Sequence, residues 1–161
     1  MQQYSPDGTR LERTSWRCEK ISKRHREWGC TCPAVDLDFV LAEYHYGKPV
    51  ALIEYKDKHA RMPDFNHPTY MALTSLADNY ALHPLPFVVV FYCPDDWWFT
   101  IYPVNDAAKK FYGHVDGQTI SEQRFVTSLY LLRKRTLTNE DKHVIEKLNN
   151  RLPVENLELE F

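Results

Sequence analysis

Two aspartates, Asp36 and Asp38, are followed beyond a Gly-containing turn by Glu54, Tyr55 and Lys56. Carboxylates and an amine of this kind can hold a divalent cation and act on a phosphate ester, provided the chain brings them to one face. The segment reads VDLDFVLAEY, HYGKP, VALIEYK, two β-prone runs about a turn, which is the pattern of a hairpin. Side chains alternate along each strand. With the turn centred near Tyr46 and Gly47, Asp38 falls opposite Glu54 and Asp36 opposite Lys56, all on one face. Leu37, Phe39, Leu41, Ala51, Ile53 and Tyr55 take the other face as a core surface. A one-residue slip would send the carboxylates into the core, so the apolar face fixes the register.

Carboxylates held this close repel one another and are costly to keep ionised unless a cation lies between them. Mg²⁺ (or Mn²⁺) suits the place, since Mg²⁺ takes oxygen ligands, keeps several waters and completes its octahedron with substrate phosphate. Lys56 would stand beside the ion, holding the attacking water or offsetting charge on the phosphorane. Without metal the cluster repels itself. Alanine at Asp38, Glu54 or Lys56 is therefore expected to end catalysis while leaving the fold intact or more stable. The plain alternative is a solvated strand face carrying ordinary charges.

Asp38, a turn, then Glu54-Tyr55-Lys56 resembles the PD-(D/E)xK nuclease superfamily. The resemblance covers about the first two-thirds of the chain by pattern, and only the hairpin at the level of a motif. It implies a restriction-endonuclease-like α/β core: an N-terminal helix, an antiparallel β-meander or hairpin, a helix and further strands. It also implies catalytic roles for Asp38, Glu54 and Lys56, with Asp38, Glu54 and the main-chain carbonyl of Tyr55 as metal ligands and Asp36 as support for a second ion. The products would carry a 5′-phosphate and a 3′-hydroxyl. The family's usual Pro before the Asp is not here: Pro33 sits upstream, with Val35-Asp36-Leu37 intervening. Whether Asp36 or Asp38 is the principal ligand stays open, Asp38 being preferred for its nearness to Glu54.

A chain of 161 residues, 43% hydrophobic with 5 Gly, is expected to form a single domain over 1–161 around one core. No run approaches the roughly 18 apolar residues of a membrane span, and the polar N-terminus has no apolar signal region. The expectation is a cytoplasmic protein with no membrane partner. Cys18, Cys30, Cys32 and Cys93 are irregularly spaced and read as free thiols. A Cys₃His zinc site from Cys18, His25, Cys30 and Cys32 is disfavoured by the tight Cys-x-Cys spacing. The net charge of −2 does not advertise a nucleic-acid partner, but its distribution is uneven. Arg10, Arg13, Arg17, Lys20, Lys23, Arg24 and Arg26 face only Glu12 and Glu19 in the same stretch, while residues 155–161 are acidic.

Residues 1–9 read as a loose lead-in. Ser15 caps a helix over 16–28 that Gly29 ends. Its Cys18, Ile21, His25 and Trp28 form a buried stripe, and Arg13, Arg17, Lys20 and Arg24 form a track for backbone phosphates. Glu19 would complete the metal site, as a first-helix Glu does in many nucleases of the resembled type. Lys58 and His59, in the polar stretch 57–66, add groups that can touch phosphate. His59 and His67 each read more simply as surface or capping residues. His67-Pro68 opens a helix reaching Leu82, with Tyr70, Leu73, Leu76, Ala77 and Tyr80 on its apolar side. Residues 86–92 read as a central strand covered on both faces. Residues 97–102 read as the next strand, sending Trp97 and Trp98 to opposite faces. Thr119 and Glu122 form a capping box for a helix over 120–134, and Thr138 caps another reaching Leu152. This C-terminal helical extension, 119–152, carries Phe125, Leu129, Leu132, Val144, Ile145 and Leu148, to pack over the sheet or form a dimer surface.

The expected function is that of a Mg²⁺-dependent deoxyribonuclease with DNA as its partner. No Walker motif or phosphate-cradling Gly loop is present, which argues against an NTP-driven activity. No spare element offers base readout in the major groove, so structure-specific cleavage leads, and a homodimer would suit a two-stranded cut. Two other readings stand beside it. One is a non-catalytic nuclease-fold module that binds nucleic acid or protein as a subunit of a larger complex. The other is an unrelated α/β interaction protein whose hairpin charges are accidental. Stabilisation by a divalent metal separates the nuclease from the last of these.

Overall fold

A computed structural model describes residues 35, 37–43, 46–133 and 139–152. Among them the architecture is mixed α/β, a five-stranded sheet flanked by four α-helices. In chain order the elements are β1 (Phe39–Glu43), β2 (Lys48–Asp57), α1 (Pro68–Asp78), β3 (Phe87–Tyr92), β4 (Trp98–Pro103), α2 (Asp106–Tyr112), a 3₁₀ turn (Gly113–Val115), β5 (Thr119–Ser121), α3 (Glu122–Leu132) and α4 (Asn139–Glu146). The spatial order is β1-β2-β3-β4-β5. β2 and β3 run parallel with α1 between them in sequence, and the other neighbours are antiparallel. Two strands, paired as an antiparallel hairpin, precede α1 among the described residues.

Every residue of β3 is β-branched or aromatic, and the strand is buried on both faces, as the sequence predicts. On one face Ala51, Ile53, Val88, Val90, Phe99 and Ile101 meet Ala108, Tyr112, Phe125 and Leu132 from α2 and α3. On the other Leu52, Phe87, Val89 and Phe91 meet Tyr70, Leu73 and Ala77 of α1. The hairpin register is set at its open end by Phe39 opposite Ile53 and Leu41 opposite Ala51. A bulge between Leu41 and Ala42 then shifts the pairing, Glu43 meets Lys48, and Val50 is skipped.

Several expectations are corrected. Leu37 packs in the cluster under α1, not with Leu41 and Ile53, because it precedes β1 and the alternation begins only with the strand. Phe39 stays 59% exposed, its ring edge-on to Tyr55. α1 stops at Asp78, short of Leu82. Asn79 ends it by turning both its main-chain and side-chain N–H groups onto the Ser75 carbonyl, and Leu76 faces outward. Trp97 lies outside β4: it sits at φ 51° in a turn closed by its N–H to the Cys93 carbonyl (2.9 Å), so Trp98 is the first strand residue. Thr119 belongs to β5, with its hydroxyl 2.9 Å from that of Thr100. The cap of α3 is Ser121, whose Oγ accepts the Arg124 N–H, while the Glu122 carboxylate accepts the Asn149 N–H instead of closing a capping box. α4 ends at Glu146, with Ile145 buried and Val144 exposed.

α2 is a helix that sequence periodicity does not predict, and one side chain explains it. Asn105 Oδ1 accepts the Ala108 N–H as N-cap of α2 and also the Phe87 N–H at the start of β3, both at 3.0 Å. Its Nδ2 donates to Asp78 Oδ1 (2.7 Å) and to the Leu85 carbonyl (2.8 Å). A side chain only 3% exposed thus joins the end of α1, the start of β3 and the start of α2 with its polar atoms satisfied. The expected helix over 16–28 lies outside the described residues. No described helix is long and apolar enough to cross a membrane.

Candidate active site

Glu54 and Lys56 lie two apart near the carboxyl end of β2, on the same face as Leu52 and therefore on the side that α1 covers. Asp38 arrives from the chain just before β1, one step beyond the Phe39–Ile53 pair, and so faces Glu54. Its Oδ2 accepts the Tyr55 N–H at 2.9 Å, and its own N–H points at Glu54 Oε2 at 3.4 Å. The Asp38 side chain thus caps the hairpin where the ladder ends, which holds its carboxylate beside that of Glu54.

Lys56 closes on the pair from the next position. Its Nζ lies 2.6 Å from Glu54 Oε1, with side-chain exposures of 28% for Lys56 and 12% for Glu54. A carboxylate so shielded is costly without a counter-charge. Burial lowers the pKa of Lys56, but the Glu54 hydrogen bond and charge, joined by Tyr70 and Asp38, outweigh it and the net shift is upward. On the opposite face of β2, Tyr55 is pushed up to about 12 by burial and then by the Asp38 charge. Its ring lies edge-on to Phe39, Tyr92 and Phe125, which anchors the strand under the charged residues.

Tyr70, in the first turn of α1, belongs to this site although the sequence pattern assigns it only to the helix's apolar stripe. Burial raises the pKa of its phenol, the charge of the Lys56 ammonium and a hydrogen bond with it lower it, Glu54 and Asp38 raise it, and the net shift is upward. The available signal was chemical: at a buried position Tyr in place of Phe brings an O–H that seeks a partner.

The other candidates fare differently. Lys58 directs its ammonium to Cys93 Sγ (3.1 Å) and Asp95 (3.6 Å), so its charge is committed within the fold. His59 is exposed in the turn after β2, its N–H on Asp57 Oδ1. His67 caps α1 through Nδ1, which accepts the Thr69 N–H. Cys93 is a buried free thiol. Asp36, Glu19, Arg13, Arg17, Lys20 and Arg24, with Cys18, Cys30 and Cys32, lie outside the described residues. Among the described residues no three His, Cys, Asp or Glu side chains converge on one point. Asp38 and Glu54 would offer a cation two carboxylates. That fits Mg²⁺, which is commonly held by one or two carboxylates with waters and phosphate oxygens.

Compared with protein-family models, curated proteins and solved structures, the chain matches none.

Proposed function

We propose that the chain is a metal-dependent nuclease with a restriction-endonuclease-like core, hydrolysing phosphodiester bonds in DNA with Mg²⁺ (or Mn²⁺). The observation that carries this reading is the placing of Asp38 and Glu54 side by side with the Lys56 ammonium on Glu54. Asp38 and Glu54, with the Tyr55 carbonyl, would hold the ion, and Asp36 would support a second. When bound, the cation supplies Lewis-acid polarisation of the phosphate and acidification of water. The Tyr55 N–H keeps the Asp38 carboxylate aimed at the site. Lys56, freed from Glu54, orients water toward phosphorus and offsets the charge that gathers on the phosphoryl oxygens. Exposed His59, in the turn after β2, would meet a flanking phosphate.

One observation favours a second reading. Lys56 already neutralises Glu54, so the charged cluster is self-sufficient without metal, as a non-catalytic module that binds nucleic acid or protein would require. Both readings are tested by incubating the full chain with labelled duplex, single-stranded, flap and four-way-junction DNA and with RNA, in EDTA, Mg²⁺ and Mn²⁺, beside Lys56→Ala. Metal-dependent cleavage lost in the variant is the expected result. Binding without cleavage in every metal would transfer the conclusion to the non-catalytic module.

A further inference from the structure

We infer that the cleft at the amino ends of β2 and β3 is a binding site for a small organic anion, an apolar body carrying a single carboxylate or sulfonate group. Its Lys48 wall stands about 20 Å along β2 from Glu54, so the inference is independent of the nuclease reading.

The cleft has a volume of about 1030 Å³ and is walled by the start of β2, the chain between α1 and β3, α2 and the end of α3. Its lining is mainly apolar, with Pro49 and Val50 from β2, Pro84 and Pro86 before β3, Phe111 from α2 and Leu131 from α3. Proline rings fix their own backbone angles, so much of this wall holds its shape before anything binds. Leu131 is 49% exposed while the next residue, Leu132, is buried in the core. A concave, largely apolar cavity of this size is the usual form of a small-molecule site.

The charges around the cleft decide what kind of molecule suits it. Arg133 and Glu43 belong to its wall as a forked pair, Nη2 on Oε1 at 3.0 Å and Nε on Oε2 at 3.2 Å, with the side chains 20% and 14% exposed. Asp106 is matched by Lys109 at 3.8 Å, and Asp78 Oδ1 accepts from Asn105 Nδ2. His83 holds its ring edge-on to Tyr80. Lys48 and Lys110 reach the cleft from β2 and α2, and among the described residues neither ammonium has an ion-pair or hydrogen-bond partner. The two ammoniums therefore outweigh the Asp78 carboxylate, and the balance of uncommitted charge is positive. An anionic group set against Lys48 and Lys110 gives them the counter-charge that the fold does not, while its apolar body covers Phe111 and Leu131. The covered apolar surface supplies the affinity, and the ammoniums select the charge and fix the orientation.

The test is a pair of fluorescence titrations on the full chain, with anilinonaphthalene sulfonate and with phenylnaphthylamine, the same body without its sulfonate. The sulfonate should bind with a stoichiometry of one, about tenfold more tightly than the uncharged probe. Lys48→Ala and Lys110→Ala should each weaken its binding about threefold, and the double variant about tenfold, with the uncharged probe unaffected. Both lysines are exposed, and melting curves that match the parent verify the fold of each variant. Lys142→Ala removes an equal charge from α4, outside the cleft, and should change neither titration. Equal affinity for the two probes, full sulfonate binding by the double variant, or as large a loss in Lys142→Ala overturns the inference. So does a parent chain that binds no sulfonate.

Discussion

Lys56 changes what the carboxylate pair means. Read from sequence, the carboxylates beside Lys56 repel one another, and alanine at Asp38, Glu54 or Lys56 should leave the fold intact or more stable. In the structure Lys56 is the counter-charge of a Glu54 that keeps only 12% side-chain exposure. Lys56→Ala should therefore lower stability in EDTA, by about 1 to 3 kcal/mol, the usual consequence of stranding a shielded charge. Mn²⁺ should then raise the melting temperature of this variant by more than it raises that of the parent, which a thermal-shift series in both conditions measures. The shared face of Glu54 and Lys56 was legible because a strand's period is local and strict. The place of Tyr70 was not, because it depends on how α1 lies across the sheet, and that is decided by residues distant in the chain.

Among the elements, the contrast between β3 and α2 shows where local pattern ends. FVVVFY announces a doubly covered strand by composition alone. α2 spans Asp106–Tyr112, too short to be stable by itself, and owes its start to an Asn105 side chain shared with α1 and β3. Asn105→Ala should cost about 2 to 4 kcal/mol, since it leaves buried donors and acceptors on three elements unpaired. Chemical denaturation at equilibrium tests this, and a loss below about 1 kcal/mol would refute the shared-cap account. β5 was read as helix for a related reason. Thr119 and Glu122 satisfy the local capping pattern, but pairing with β4 takes Thr119 into the sheet and passes the cap to Ser121.

In the molecule as a whole, the charged cluster sits toward the carboxyl end of β2, one of the two parallel strands that α1 connects. Open α/β sheets place ligands at the carboxyl ends of such strands. The opposite face is closed by α2 and α3 and is less tolerant of alkali. Burial pushes the Tyr112 phenol up to about 12, against the Ser128 hydrogen bond and with a smaller contribution from Tyr55. The unfolded tyrosine ionises near 10, so the stability held by the neutral phenol is complete below about pH 10 and is lost as pH rises toward 12. This is worth about 2 to 3 kcal/mol. Tyr112→Phe should lose about 1 kcal/mol at neutral pH with the Ser128 hydrogen bond, yet show a flatter decline above pH 10. Urea unfolding at a series of pH values reads both effects.

The bulge that skips Val50 lies between the turn of the hairpin and its working end. It acts as a slip joint. From Leu41 and Ala51 outward, the strands that carry Asp38 and Glu54 keep one alignment, while the Ala42–Pro49 and Glu43–Lys48 pairs follow another. Pro49, with no N–H to offer a ladder, suits the loosened side. Variation in turn length at the tip can thus accumulate over evolutionary time without being transmitted to the carboxylates, whose spacing is inherited from the other half of the same strands.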